Sequence, residues 1–322
     1  MMSVQVLCGI GAVGLRSPDN TDLGLIAAKS FNTLAKWLKR NPQLMDPDVV
    51  SSTLQDSVNL TQILSHQPVT QEIFANDQNE HLLVTEACDD GDMVIGRLLK
   101  LSLSMAPQLA KIWYEFANWS LEMGEKVLAS ATNGRIGLTS FEESSLKQFG
   151  FDEDTFKALT DLVSQIHLQQ MQDSIEAEKS DSMRKSLMNL LGSGDPELLE
   201  NVLEQWQLIQ KRIFYYQETA TRSYFNFIAL NEATEKEQKV ISATLRLLQL
   251  IVKHSFELQE SLQEGLDQTP SHCWKAIIPQ LFSRLNHPVK VVRNRISDLL
   301  CRIANDHPNL VIYPAIVGSM AS

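Results

Sequence analysis

PSHCWKAIIPQLFSRLNHPVKVVRNRISDLLCRIANDHPNLVIYPAIVG, residues 270–318, is the stretch that decides the fold. Trp274, Ile277, Ile278, Leu281, Phe282 and Leu285 fall at offsets of 0, 3, 4, 7, 8 and 11. That spacing is one continuous apolar stripe on a 3.6-residue helix. Val289, Val292, Ile296, Leu299, Leu300 and Ile303 repeat it. Between the stripes lies Leu285-Asn286-His287-Pro288, with Pro288 expected in the first turn of the second helix. His307-Pro308 closes that helix. Two striped helices joined by a short loop predict an antiparallel hairpin. Pro279 falls inside the first helix and predicts a bend there.

Composition bounds the rest. The chain has 322 residues, 43% of them hydrophobic, with 14 Gly and 11 Pro, enough for a substantial core. Its 28 basic and 39 acidic residues give a net charge of −11, which argues against direct nucleic-acid binding. Cys8, Cys88, Cys273 and Cys301 stand far apart with no CxxC pair, so a zinc site is not expected, and the low cysteine density suits the cytoplasm or nucleus. No apolar run of about 18 residues occurs, so no membrane partner is expected.

Upstream, residues 1–20 read as a flexible leader. They contain Gly9-x-Gly11-x-x-Gly14 after a strand-like Val4–Leu7. A dinucleotide site needs that loop to open a helix, and a turn at 16–20 comes next instead. Residues 22–40 predict an amphipathic helix, with Leu25, Ala28, Phe31, Leu34, Ala35 and Leu38 inside and Trp37 beside them. Lys29, Lys36, Lys39 and Arg40 cluster on it, an ordinary solvated face in the plainer reading. Helical segments are expected over 46–65 and, less regularly, 70–88. Asp89-Asp90-Gly91-Asp92 reads as a turn and helix cap, because an EF-hand would need a glutamate where Leu101 stands.

Residues 93–105 and 107–131 predict a second hairpin, carrying Leu109, Ile112, Trp113, Phe116, Ala117 and Leu121. Trp113-x-x-Phe116-Ala117 resembles the start of a degenerate tetratricopeptide repeat, with Gly124 near its turn. A short helix is expected at 140–149, a further helix over 152–175, and an exposed turn or helix extension at 176–185. One long helix is expected over 196–231, with Trp206 on its stripe and a kink near Thr219-Ala220-Thr221. Its partner is expected over 232–266.

The internal Pro279, the Asn286-His287-Pro288 turn and Val291-Val292-Arg293 resemble a HEAT-type repeat. With Ile277–Leu281, Leu299-Leu300 and Ile312–Gly318 the run resembles the end of the FAT domain of the phosphatidylinositol 3-kinase-related protein kinases. Within that family PQLFSRLNHP, residues 279–288, is most similar to the branch acting in nonsense-mediated mRNA decay. The expected architecture is an all-α solenoid of antiparallel helical hairpins. TPR-like repeats would occupy 21–190, a long hairpin plus the HEAT-like repeat 191–318, and a truncated tail 319–322. Trp37, Trp113, Phe116, Trp206, Trp274, Pro279, Leu281, Pro288, Arg293 and Leu300 are its expected structural residues.

The resemblance implies a non-catalytic scaffold segment of a large serine/threonine kinase. Its implied partners are the kinase domain of the same protein and the regulatory subunits of the complex. The parent's substrate would be the RNA helicase of nonsense-mediated decay. The parent would use ATP and a divalent metal. Inositol hexakisphosphate is implied too, with Lys29, Lys36, Lys39 and Arg40 as candidate contacts. The chain itself carries neither Asp-Arg-His-x-x-x-Asn nor Asp-Phe-Gly, so no catalytic residue and no metal ligand is assigned. A stand-alone TPR/HEAT adaptor is the alternative. A nicotinamide-dependent enzyme would rest on Gly9, Gly11 and Gly14 alone.

Overall fold

The computed structural model describes residues 2–15, 20–45, 90–132, 138–169, 176–191, 196–231 and 237–320. Among the described residues there are fourteen α-helices, two 3-10 helices and no strand. The expected all-α, solenoid-like class holds. The expected helices at 46–65 and 70–88 lie outside the described residues. The chain divides into two compact units, Met1–Met123 and Gly124–Ser322.

At the start of the first unit the expectation is corrected. The supposed leader with its strand-like start is helix α1, Met2–Leu15, which packs on α2, Thr21–Arg40. Its glycines cradle no phosphate. A Cβ on Gly11 would overlap the Phe31 ring, and one on Gly14 would overlap Ala27. Gly-x-x-Gly here lets two helices approach closely, a packing use of the residue that permits it. α2 starts at Asn20, whose side chain accepts from the Asp22 and Leu23 amides at 3.1 Å. Ala28, Phe31, Leu34, Ala35 and Leu38 are buried as the stripe predicts.

The other face of α2 meets α3, Asp90–Met105. Ser102 Oγ sits within 3.0 Å of the carbonyls of both Leu98 and Ala28, and its hydroxyl donates there. Helix α4 spans Ala110–Thr132. Ile112, Trp113 and Phe116 are buried. Trp119, which falls one position off the repeat pattern, is also buried and donates from Nε1 to the Asp92 carbonyl at 2.9 Å. Its ring lies where a Cβ on Gly96 would be.

In the second unit, α5 (Ser140–Lys147) opens with a capping box between Thr139 and Glu142. Gly150, at φ 72, ends that turn. α6 (Glu153–Gln169), α7 (Glu176–Leu191) and α8 (Pro196–Ile213) come next. The Glu142 carboxylate serves two partners. Oε2 accepts the Thr139 amide at 2.8 Å, and Oε1 lies 2.8 Å from Arg212 Nε of α8. Both side chains are nearly withdrawn from water, at 3% exposure for Arg212 and 11% for Glu142.

The single helix expected over 196–231 is two. α8 stops at Ile213 and α9, Tyr215–Leu230, starts after Phe214. No break occurs near Thr219-Ala220-Thr221. The Thr219 and Thr221 hydroxyls donate to the carbonyls of Tyr215 and Gln217 at 2.8 Å, satisfying themselves inside the helix. Gly124 marks no turn either. α4 runs through it, and its carbonyl accepts from Gln217 Nε2 at 2.7 Å. The expected partner helix is broken as well, into α10 (Glu237–Lys253) and α11 (Gln259–Gln268). α11 lies on α9 so closely that a Cβ on Gly265 would overlap the Phe225 ring.

The hairpin expected from residue 270 onward is present in altered form. Residues Ser271–Ile277 are 3-10 helix, followed by the short α12, Ile278–Phe282. Pro279 is thus in the first turn of α12 and not inside a helix. It has no N–H for a carbonyl one turn back, so the preceding segment tightens instead of continuing as α-helix. The stripe survives: Trp274, Ile277, Ile278 and Leu281 are all buried. Pro288 precedes the cap residue Val289 of α13, Lys290–Asp306, and so lies outside the helix. α14, Pro308–Met320, packs on α12 and α13.

Two outcomes test this packing. Gly96→Val should destabilise the chain by roughly 1–3 kcal/mol, read as a lower urea midpoint, because Trp119 has no room to move aside. Arg212→Met should cost about 3–5 kcal/mol by leaving Glu142 buried and unpaired, and pairing it with Glu142→Gln should recover part of that loss.

Candidate functional site: the basic side chains

A chain of net charge −11 can bind an anion only through a local concentration of cations, so the basic side chains are the place to look. Of the four singled out on α2, Lys36 and Lys39 face carboxylates of α4. Lys36 Nζ lies 2.7 Å from Glu115 Oε1, with both side chains about a quarter exposed. Lys39 Nζ donates to both Glu122 carboxylate oxygens at 2.6 Å. Glu115 and Glu122 are seven residues apart on α4, so the two pairs form rungs between α2 and α4. Lys29 and Arg40 are exposed, at opposite ends of the run. Lys39 and Arg40 also occupy the last turn of α2, where cations complement the helix dipole.

The arginines of α13 have a different chemistry, which sequence reasoning missed except at Arg293. Arg293 Nη1 donates to the carbonyls of His287 and Pro288 and ties down the loop before its own helix. Arg295, nearly buried, donates from Nη1 to the Ser255 carbonyl at 2.8 Å and from Nη2 to the Gln259 carbonyl at 3.3 Å. Arg302 donates from Nη1 to the Leu266 carbonyl and from Nη2 to the Thr269 carbonyl, the latter at 2.7 Å. Of these, the Ser255, Leu266 and Thr269 carbonyls lie where a helix stops and backbone donors run out, while Gln259 opens α11. The signal available in the sequence was Arg295 and Arg302 two turns apart, with Arg295 flanked by stripe residues.

Burial pushes the Cys8 thiol up to about 11. Burial likewise raises Cys273, while Cys301 is exposed. Among the described residues no three His, Cys, Asp or Glu side chains gather as a metal site would require. No described helix is long and apolar enough to cross a membrane. Of the expected structural residues, Trp113, Phe116, Trp206, Trp274, Leu281 and Leu300 are buried. Trp37 is half-buried, and Pro279 and Pro288 are exposed.

No family model matches the chain. It is 30% identical over 342 residues to serine/threonine-protein kinase SMG1 of Danio rerio, a match covering 92% of this chain and 9% of that protein. To serine/threonine-protein kinase Smg1 of Drosophila melanogaster it is 31% identical over 293 residues, covering 83% of this chain and 9% of that protein. A shorter match, 35% identical over 105 residues, reaches serine/threonine-protein kinase TOR of Oryza sativa subsp. japonica, covering 32% of this chain and 4% of that one. The chain therefore spans about a tenth of the length of the curated relatives it matches. Similarity along nearly the whole chain to one kinase group, joined to an all-helical fold, places this segment in the phosphatidylinositol 3-kinase-related kinase family, with its Smg1-type members.

Proposed function

We propose that this chain is a non-catalytic helical scaffold segment of a large serine/threonine protein kinase acting in nonsense-mediated mRNA decay. Its helices support the kinase domain of the same protein and offer surfaces to the regulatory subunits of the complex. The parent takes ATP and a divalent metal at that kinase domain and phosphorylates the RNA helicase of the decay pathway. The observation that carries this reading is the similarity to Smg1-type kinases across 92% of the chain. The structure supports it through Lys36 and Lys39, which pair with glutamates, and through Arg295 and Arg302, which donate to backbone carbonyls. Such groups hold helices in place and are not arranged around a reacting atom.

Inositol hexakisphosphate belongs to this reading as a ligand whose candidate contacts are Lys29, Lys36, Lys39 and Arg40. Binding there requires the polyanion to take Lys36 and Lys39 from Glu115 and Glu122. Glu115→Gln with Glu122→Gln should therefore raise the affinity for inositol hexakisphosphate in titration calorimetry, with a steep loss at high salt. Unchanged affinity in that double variant would remove these four residues from the ligand's site.

The scaffold reading is tested in the parent kinase. Trp274→Ala, which empties a fully buried site, should lower phosphorylation of a Ser-Gln peptide severalfold while leaving the kinase-domain sequence intact. The isolated 322-residue chain should transfer no phosphate from ATP to the same peptide. Turnover by the isolated chain, or full activity in a parent destabilised at Trp274, would overturn the proposal.

A further inference from the structure

Helix α11 is bounded by two interruptions, and each is closed by an arginine of α13. Upstream, α10 ends at Lys253 and the chain turns through 254–258 before α11 begins. The Gln259 amide donates to Phe256 and not to Ser255. The Ser255 carbonyl instead accepts from Arg295, whose Nη1 also lies 3.2 Å from Ser255 Oγ. Downstream, the backbone turns extended at Thr269, and Pro270 has no N–H to offer. The Thr269 amide and hydroxyl both donate to Gly265, leaving the Leu266 carbonyl to Arg302. The Thr269 carbonyl accepts from the same guanidinium.

Arg295 and Arg302 are seven residues apart, two turns of α13, and so share one face. α11 is ten residues long, so two arginines two turns apart on one helix reach both of its ends. We propose that α13 is a latch on a two-ended hinge: Arg295 and Arg302 hold the breaks at 254–258 and 266–270 shut, and α11 loosens at both ends when α13 lifts away. A partner or a neighbouring segment that pulls on α13 would thereby change the seating of α11 on α9, without touching α11 itself. The guanidinium suits this task because its fork donates to two carbonyls at once, and a charged donor makes a stronger bond than a neutral one. The device concerns motion within residues 237–306 and stands apart from the reading of the chain as a kinase scaffold.

Hydrogen exchange read by mass spectrometry on the whole chain tests it, comparing wild type with Arg295→Gln, Arg302→Gln and, as an exposed ion-pair control away from α11, Arg184→Gln. Loss of charged hydrogen bonds should speed exchange by about tenfold or more. Arg295→Gln should do so at amides 255–260 and Arg302→Gln at amides 266–273. Amides of α9 and the Arg184→Gln control should exchange at wild-type rates. Should Arg295→Gln fail to fold, the half-exposed Arg302→Gln decides alone. Unchanged exchange at 266–273 in folded Arg302→Gln would overturn the latch. So would a uniform acceleration across α9, α10 and α11, which marks general loss of stability and not a hinge.

Discussion

A helix that stops inside a protein leaves carbonyls with no amide to meet them, and that constraint shapes the second half of this chain. A buried carbonyl without a donor costs about 1–3 kcal/mol, so every interruption needs a substitute donor. α10, α11 and the 3-10 turn at 271–277 are interrupted in close succession. The substitutes come from one helix, α13, through Arg295 and Arg302, while Arg293 does the same for the loop before it. Apolar stripes decide which faces meet, and the guanidinium groups decide that the breaks between them persist.

The first unit solves a different problem, close approach. Gly11, Gly14 and Gly96 remove side chains where Phe31, Ala27 and Trp119 need the space. A Gly-x-Gly-x-x-Gly run after an apolar stretch looks the same whether its backbone meets a phosphate or a phenyl ring. The two cases differ in where the glycines sit relative to the helix. Here they are inside α1, and α2 lies against Gly11 and Gly14, so the resemblance to a nucleotide loop is an accident of small residues. The same economy of side chains recurs at Gly265 under Phe225.

Periodicity made the faces legible. Most residues placed inside from spacing alone are buried, from Phe31 to Ile303, while Leu25, Leu109, Leu121, Phe282, Leu285 and Val289 at the stripe edges are half-buried. The breaks were not legible. Phe214 interrupts a run whose residues all favour or tolerate helix, whereas Thr219-Ala220-Thr221 looks weaker and is intact, with both hydroxyls bonded to carbonyls one turn earlier. Pro279 was visible, but not that the segment before it tightens into 3-10 helix while Trp274 stays buried. Of the candidate cations, spacing put Lys29, Lys36, Lys39 and Arg40 together on one helix; only coordinates could show that α4 brings Glu115 and Glu122 to two of them. The Glu142 link to Arg212 joins residues far apart in sequence and has no local signature beyond the Thr139 capping box.

Interruptions held by side chains, and not long continuous helices, set this architecture. Backbone carbon chemical shifts across residues 237–306 test that most directly. Helical shifts are expected over 237–253 and 259–268, separated by non-helical values at 254–258, with a second departure at 269–270 before the 3-10 turn. Unbroken helical shifts from 237 to 268 would contradict it, since the carbonyls that α13 is said to hold would then have partners of their own.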